Sequence, residues 1–168
     1  MILTFCNKIS YEREDHLELQ FKGIMDEQIQ CMVENAFHEA RGEGTLGRQL
    51  VMQVVLNRAS SMFDLCNQVY RHKQFSWTLS KKKAMPEKMM DALRVEFKQL
   101  CKDPTVIPEQ FRQATHYHTH AVKPVWRKRL KRLGAFKNHI FYRKHHEDFI
   151  YRNGAVVLNS PERRTKCY

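Results

Sequence analysis

Apolar residues recur at helical spacing between residues 29 and 55 and predict two consecutive core helices. The first helix is predicted to begin at Asp26 as N-cap and to end at Gly42 and Gly44. Its apolar face follows the i, i+3, i+4, i+7 pattern through Ile29, Met32, Val33, Ala36, Phe37 and Ala40. Thr45 is the predicted cap of a second helix over residues 45–61, with an apolar face of Leu46, Leu50, Val51, Val54 and Val55.

Two further helices follow, and the strand signal is weak. A short helix is predicted from Asp64, and a longer one from about Pro86 to Cys101 with Met89, Leu93, Phe97 and Leu100 inward. Near the end, HIFYRK and DFIYRNG either pair as short strands or form irregular aromatic-rich structure. With no repeat, linker or boundary in 168 residues, we expect one mainly α (α+β) domain over residues 1–168.

Composition supports a folded chain and excludes several classes. The hydrophobic fraction is 42%, typical of a globular protein. No stretch approaches the roughly 20 apolar residues of a membrane span, and the start has no pattern of a secretory signal. We therefore expect synthesis in the cytoplasm. Five scattered cysteines without a CxxC pair predict reduced, mostly buried thiols rather than a disulfide framework: Cys6, Cys31, Cys66, Cys101 and Cys167.

The net charge of +11 indicates an anionic partner or setting. Basic residues concentrate in KKK at 81–83, in WRKRLKRLG at 126–134 and in ERRTK near the end. Each run alone could equally be a solvated charged face. Together they favour an electrostatic surface, for nucleic acid or for a bacterial envelope.

The stretch ENAFHEARGEG, residues 34–44, carries candidate acid–base chemistry. At 100° per residue, Glu39 lies about 60° from Ala36, at the border of the apolar stripe. Shielding from water would raise its pKa toward the range of a general acid. The alternative is a structural glutamate that caps a helix or pairs with Arg41 or Arg48. Glu43 approaches from the same side and is better interpreted as a helper, because paired carboxylates must flank the bond.

Ordered blocks resemble the SleB-type cell-wall hydrolase family of spore-cortex-lytic and phage-borne peptidoglycan lytic transglycosylases. The blocks are HEARGEG with GRQLVMQVVLNR, DLCNQVYRHKQFSW, ATHYHT-x-x-V-x-P-x-W and NHIFYR, and they span about residues 30–143. Two departures affect the expected loop shape and substrate preference. Phe136-Lys137-Asn138 stands before His139 where the family usually has an isoleucine-glycine pair, and Gln113 stands where a glycine is common.

The resemblance implies a lysozyme-like catalytic domain with a small β element, and Glu39 as its catalytic residue. It implies cleavage of the β-1,4 bond between N-acetylmuramic acid and N-acetylglucosamine. Glu39 would donate a proton to the glycosidic oxygen and then take one from the muramic acid 6-hydroxyl as a 1,6-anhydro ring closes. No cofactor is implied. The expected partners are peptidoglycan and anionic envelope polymers, with no dedicated protein partner, and the chain is expected to be a monomer.

Further substrate-binding candidates combine hydrogen-bonding groups with aromatic faces, which suits acetamido-sugars. They are Glu43, Gln74, Ser76, Trp77, His116, Tyr117, Trp126, His139 and Tyr142. Core packing is the alternative for Phe75 and Trp77, and it is the favoured expectation for Phe75. Packing is an equal alternative for Tyr117, Trp126 and Tyr142.

Two other hypotheses stay open in the sequence. Alternating histidines could form a metal site, although no H-E-x-x-H motif is present: His116, His118 and His120, with His145, His146 and Glu147. Alternatively, the chain could be a small basic nucleic-acid-binding protein that uses residues 127–132 on phosphates and Trp126 on a base. The favoured expectation is a phage-type endolysin or virion-associated lysin, delivered to the wall through a holin-type lesion or by a virion.

Overall fold

Four α-helices are the main elements of the protein, as a computed structural model shows for residues 16–71, 74–80, 83–145, 149–152 and 155–158. They are α1 (His16–Ala40), α2 (Gly44–Arg58), α3 (Leu65–Tyr70) and α4 (Glu87–Lys102). Short 3-10 turns lie in the segments between the helices, before the first strand and between the first two strands. The predicted mainly α class is confirmed. Within these residues, every helix falls short of the length or apolar character that crossing a membrane would need.

The core forms where α1, α2 and α4 pack together. All six apolar residues of the predicted α1 stripe are buried. In α2, the run from Gln49 to Leu56 is buried on every face, because neighbours surround this helix. Burying each large apolar side chain stabilises the fold by about 1.5–3 kcal/mol. The polar members of the run are hydrogen-bonded: Gln49 Nε2 donates to the Glu96 carbonyl at 3.2 Å, and Gln53 Nε2 to Asn57 Oδ1 at 2.7 Å.

Two predicted helix starts are wrong. Asp26 lies inside α1, well after its first residue, His16. The N-cap position of α2 is Glu43, and Thr45 lies in the first turn, where its hydroxyl donates to Glu96 Oε1 at 3.0 Å. Tertiary contacts thus outweigh the local capping preference of this threonine. The predicted starts of α3 after Asp64 and of α4 after Pro86 are confirmed.

A three-stranded antiparallel sheet follows the helices. Its strands are β1 (His116–Thr119), β2 (Lys131–Phe136) and β3 (His139–Arg143), in the order β1-β3-β2. A separate hairpin pairs β4 (Phe149–Arg152) with β5 (Ala155–Leu158). The proposed pairing of HIFYRK with DFIYRNG is therefore wrong, because both edges of β3 are already occupied by β1 and β2.

A disulfide joins Cys31 of α1 to Cys66 of α3, with 5.2 Å between the Cα atoms. The expectation of reduced thiols is wrong for this pair, because packing of α1 on α3 brings together cysteines that are 35 residues apart. Cys101 is buried, as expected. Cys6 and Cys167 lie outside the described residues.

Candidate active site

A cleft of about 570 Å³ lies between the carboxyl ends of α1 and α2 on one side and β1 with the loop after it on the other. Its walls mix aromatic, apolar and polar groups, as ligand sites do. The lining residues are Glu39, Val54, Arg58, Gln74, Phe75, Ser76, His116, Tyr117, His118, Thr119, Val122, Pro124 and Trp126.

Glu39 is the only carboxylate among the described residues that line this cleft. It stands in the last turn of α1 and is partly buried. Burial raises its pKa, and the Tyr117 hydroxyl, which donates to Glu39 Oε2 at 3.1 Å, opposes part of that rise. The predicted shielding is thus confirmed. Pairing with an arginine is not seen, because Arg48 binds Glu96 and Arg41 lies over the Phe37 ring.

Packing fixes the position of Tyr117. Its ring contacts Phe75, His139 and Phe141, with centroids 6.2, 5.0 and 5.7 Å away. Burial and the neighbouring Glu39 raise the Tyr117 pKa well above its ordinary value. The phenol therefore stays protonated at neutral pH and remains a hydrogen-bond donor to Glu39.

Arg58 and Gln74 form a polar part of the cleft wall. The Arg58 guanidinium donates to Gln74 Oε1. Burial, assisted by Arg71, lowers the Arg58 pKa to about 10, so the side chain is still a cation at neutral pH.

His116 is a neutral group of the cleft wall. Burial lowers its pKa to about 4, so the imidazole is neutral at neutral pH, and its Nδ1 lies 2.9 Å from Thr115 Oγ1.

Six of the predicted site residues meet at the cleft. Besides Glu39 and Tyr117 they are Gln74, Ser76, His116 and Trp126. Ser76 is exposed, and the Trp126 ring packs on His116 with centroids 5.3 Å apart. Phe75 is buried, as expected of a core residue, and also lines the cleft.

Three other candidates lie behind the cleft walls. Trp77 is buried, and its indole N–H donates to Asn35 Oδ1 at 2.9 Å. The buried Tyr142 places its hydroxyl 2.9 Å from His118 Nε2. His139 is buried beneath Tyr117, and burial lowers its pKa. None of these three lines the cleft, so the structure gives them packing roles.

Glu43 connects the turn between α1 and α2 to the turn between β2 and β3. It is 5% exposed, and its carboxylate accepts from Asn138 Nδ2 at 2.9 Å and from the Asn138 main-chain N–H at 3.4 Å. Lys137 Nζ donates to the Glu43 carbonyl at 2.5 Å. A Cβ atom on Gly47 would lie 2.3 Å from Glu43 Cβ, so this close approach requires glycine. Glu43 faces the turn between β2 and β3 rather than the cleft.

The histidines do not assemble into a metal site in the part of the chain that is described. No group of three or more metal-ligating side chains occurs there. One His118 nitrogen contacts Tyr142 and the other lies 2.8 Å from the Thr119 carbonyl, while His120 Nε2 lies 3.1 Å from the Lys137 carbonyl. His146 and Glu147 are outside the described residues.

Sequence reasoning missed Arg58 as a cleft residue. Counting from Val51, the apolar face of α2 continues through Val54 and Val55 to position 58 at i+7. A cation on that face is the signal that could have identified it, because charged side chains are seldom placed on a buried helix face without a partner.

Comparison with known proteins identifies a family whose model matches this sequence. The family profile described as Cell Wall Hydrolase matches residues 42–142, more than half of the chain. The match begins three residues after Glu39 and includes the cleft residues from Val54 to Trp126. Searches among curated proteins and solved structures give no significant match. The protein belongs to the cell wall hydrolase family, whose substrate is peptidoglycan.

Proposed function

We propose that the protein is a lytic transglycosylase that cleaves the β-1,4 bond between N-acetylmuramic acid and N-acetylglucosamine, with Glu39 as general acid and then general base. The observation that carries this proposal is the partly buried Glu39, alone among described carboxylates in lining the cleft, with a raised pKa. Such a carboxyl holds its proton closer to neutral pH than an exposed one.

The reaction needs a single carboxyl group. Protonated Glu39 donates to the glycosidic oxygen as the C–O bond breaks through an oxocarbenium-like state. The resulting carboxylate, held by the Tyr117 hydroxyl, takes the proton from the muramic acid 6-hydroxyl as that oxygen bonds to C1. The products are a free N-acetylglucosamine hydroxyl and a 1,6-anhydro end, and no water is consumed.

The position of Glu43 favours this route over a two-carboxylate mechanism. A second carboxylate would have to reach the opposite face of the sugar or activate a water there. Glu43 is buried and hydrogen-bonded to Asn138, and it does not line the cleft. Trp126 offers an aromatic face to the sugar, and Gln74 and Ser76 offer polar contacts to its edges.

The biological setting we propose is that of a phage-type endolysin or a virion-associated lysin that reaches the wall after release or from a particle. A net charge of +11 suits an enzyme that must approach anionic envelope polymers.

Replacing the acid tests the proposal. Glu39→Gln keeps the shape of the side chain but cannot donate and reclaim a proton, so lysis of purified sacculi should fall by about 10²–10⁴-fold. Thermal unfolding should be unchanged. Glu27→Gln, an exposed position on the same helix, is the matched control and should lyse like wild type. A Glu39→Gln protein that keeps more than about a hundredth of wild-type activity would remove Glu39 from this role.

A further inference from the structure

Arg58 is a charged side chain in the cleft without a carboxylate partner. Among the described residues, its guanidinium donates only to the neutral amide oxygen of Gln74. Arg48, on the same helix, shows the usual arrangement, since its guanidinium binds the Glu96 carboxylate. Shielded charges are normally paired, because leaving water without a counter-charge is costly. The unpaired guanidinium therefore points to an anionic ligand.

Gln74 adds a second donor at the same place. Its Oε1 accepts from Arg58, so the Nε2 group is left without a protein acceptor among the described residues. Both side chains line the cleft, as does Glu39. The described lining residues include no lysine, and Arg58 is the only arginine among them.

We propose that Arg58 and Gln74 form a carboxylate-binding subsite that recognises the acidic substituent on muramic acid. The identity of the sugar rests on the proposed function. The guanidinium fork matches the two oxygens of a carboxylate, and the Gln74 amide can donate to the same group. Peptidoglycan offers such a carboxylate in two places. One is the lactyl group of a muramic acid that has lost its peptide, and the other is the stem peptide itself.

Four soluble glycan substrates test the subsite and separate the two sources. Two are peptide-free strands with lactyl carboxylates either free or converted to methylamides. The other two are peptide-bearing strands with stem carboxylates either free or converted likewise. Wild type should cleave strands with the free carboxylate that the subsite binds about 10- to 100-fold better, by kcat/KM, than the same strands with that carboxylate amidated. This range follows from the energy of hydrogen bonds to charged groups. Arg58→Gln should lose that preference and Arg58→Lys should keep part of it, so each variant should lose more kcat/KM on charged than on amidated strands.

Arg94→Gln is the matched control, because Arg94 is partly exposed and lies on α4 beside Asp26 and Gln30. A preference confined to peptide-free strands assigns the lactyl carboxylate, and one confined to peptide-bearing strands assigns the stem peptide. The subsite would be overturned if wild type had the same kcat/KM on charged and amidated strands of both kinds, a result that does not depend on whether Arg58→Gln folds. It would also be overturned if folded Arg58→Gln lost the same fraction of kcat/KM on charged and on amidated strands.

Glu39→Gln separates this inference from the proposed function. Its calorimetric affinity for charged over amidated strands should match the wild-type preference, although it cleaves them at least about 100-fold more slowly. Cleavage by Glu39→Gln at more than about a hundredth of the wild-type rate would contradict the proposed function and leave the test of Arg58 intact. Equal affinity of Glu39→Gln for charged and amidated strands would instead count against the subsite alone.

Discussion

Two opposing effects act on the pKa of Glu39. Burial favours the neutral carboxyl, and the Tyr117 hydroxyl favours the carboxylate. A general acid is active only while it is protonated. The fall of kcat/KM at high pH, called here the high-pH limb, therefore reports the pKa of Glu39. Tyr117→Phe removes the influence that lowers the pKa of Glu39. That limb should therefore move to higher pH.

A pH series on soluble glycan strands measures the limb for wild type and Tyr117→Phe. Tyr142→Phe is the control, because the Tyr142 hydroxyl contacts His118 and does not touch Glu39. Its limb should coincide with that of wild type. A Tyr117→Phe limb that stayed in place or moved to lower pH would contradict the role given to this hydrogen bond.

Helical periodicity predicted the shielding of Glu39, but it could not predict which residues line the cleft. Spacing from Ala36 was sufficient to predict partial shielding of Glu39. Spacing could not predict that Trp126 lines the cleft while Trp77 is buried. Trp77 is held in the interior by a hydrogen bond from its indole N–H to Asn35 Oδ1. Such contacts arise from packing between distant segments.

At the scale of elements, Glu43 holds the β2–β3 turn against the start of α2. Glu43→Gln keeps one acceptor for Asn138, so lysis should fall much less than in Glu39→Gln. Glu43→Ala leaves the Asn138 donors without that partner and should lower the free energy of unfolding by about 1–3 kcal/mol. Lysis assays and denaturant unfolding measure both effects, with exposed Glu109→Gln as control. Equal activity losses in folded Glu43→Gln and Glu39→Gln would indicate a two-acid mechanism.

The helices were predictable because long amphipathic segments carry a strong local signal. Strand pairing and the Cys31–Cys66 disulfide were not, because both depend on which segments meet in space. Lys137 illustrates the limit. It has φ of 47°, a conformation that favours glycine, at the turn where the sequence departs from the family pattern. Its bond to the Glu43 carbonyl is visible only once the fold is known.

At the scale of the whole molecule, a basic segment over residues 127–132 follows Trp126 at the cleft. Most of its side chains are exposed, across a short helical turn and the start of β2. Changing Arg127, Lys128, Lys131 and Arg132 to glutamine should weaken attachment to sacculi and flatten its salt dependence, because screened attractions are removed. Cleavage of a short soluble strand should change little.

Pull-down on sacculi across a salt series, with turnover of a soluble strand, measures both effects. The control changes four exposed lysines on α1 and α4 to glutamine: Lys22, Lys88, Lys98 and Lys102. It removes the same charge away from the cleft and should affect attachment less. If turnover of the short strand fell as far as attachment, the basic segment would belong to the cleft. If only affinity for DNA fell, the segment would serve nucleic-acid binding.

The chemistry of the products tests the central claim most directly. Peptidoglycan digested by the wild-type protein should be analysed by mass spectrometry before any reduction step, with Glu39→Gln as the blank. One carboxyl group acting twice predicts muramic acid ends in the 1,6-anhydro form, lighter by one water than hydrolytic products and absent from the Glu39→Gln digest. Digests containing only hydrated reducing ends, or only cleaved peptide or amide bonds, would contradict the account.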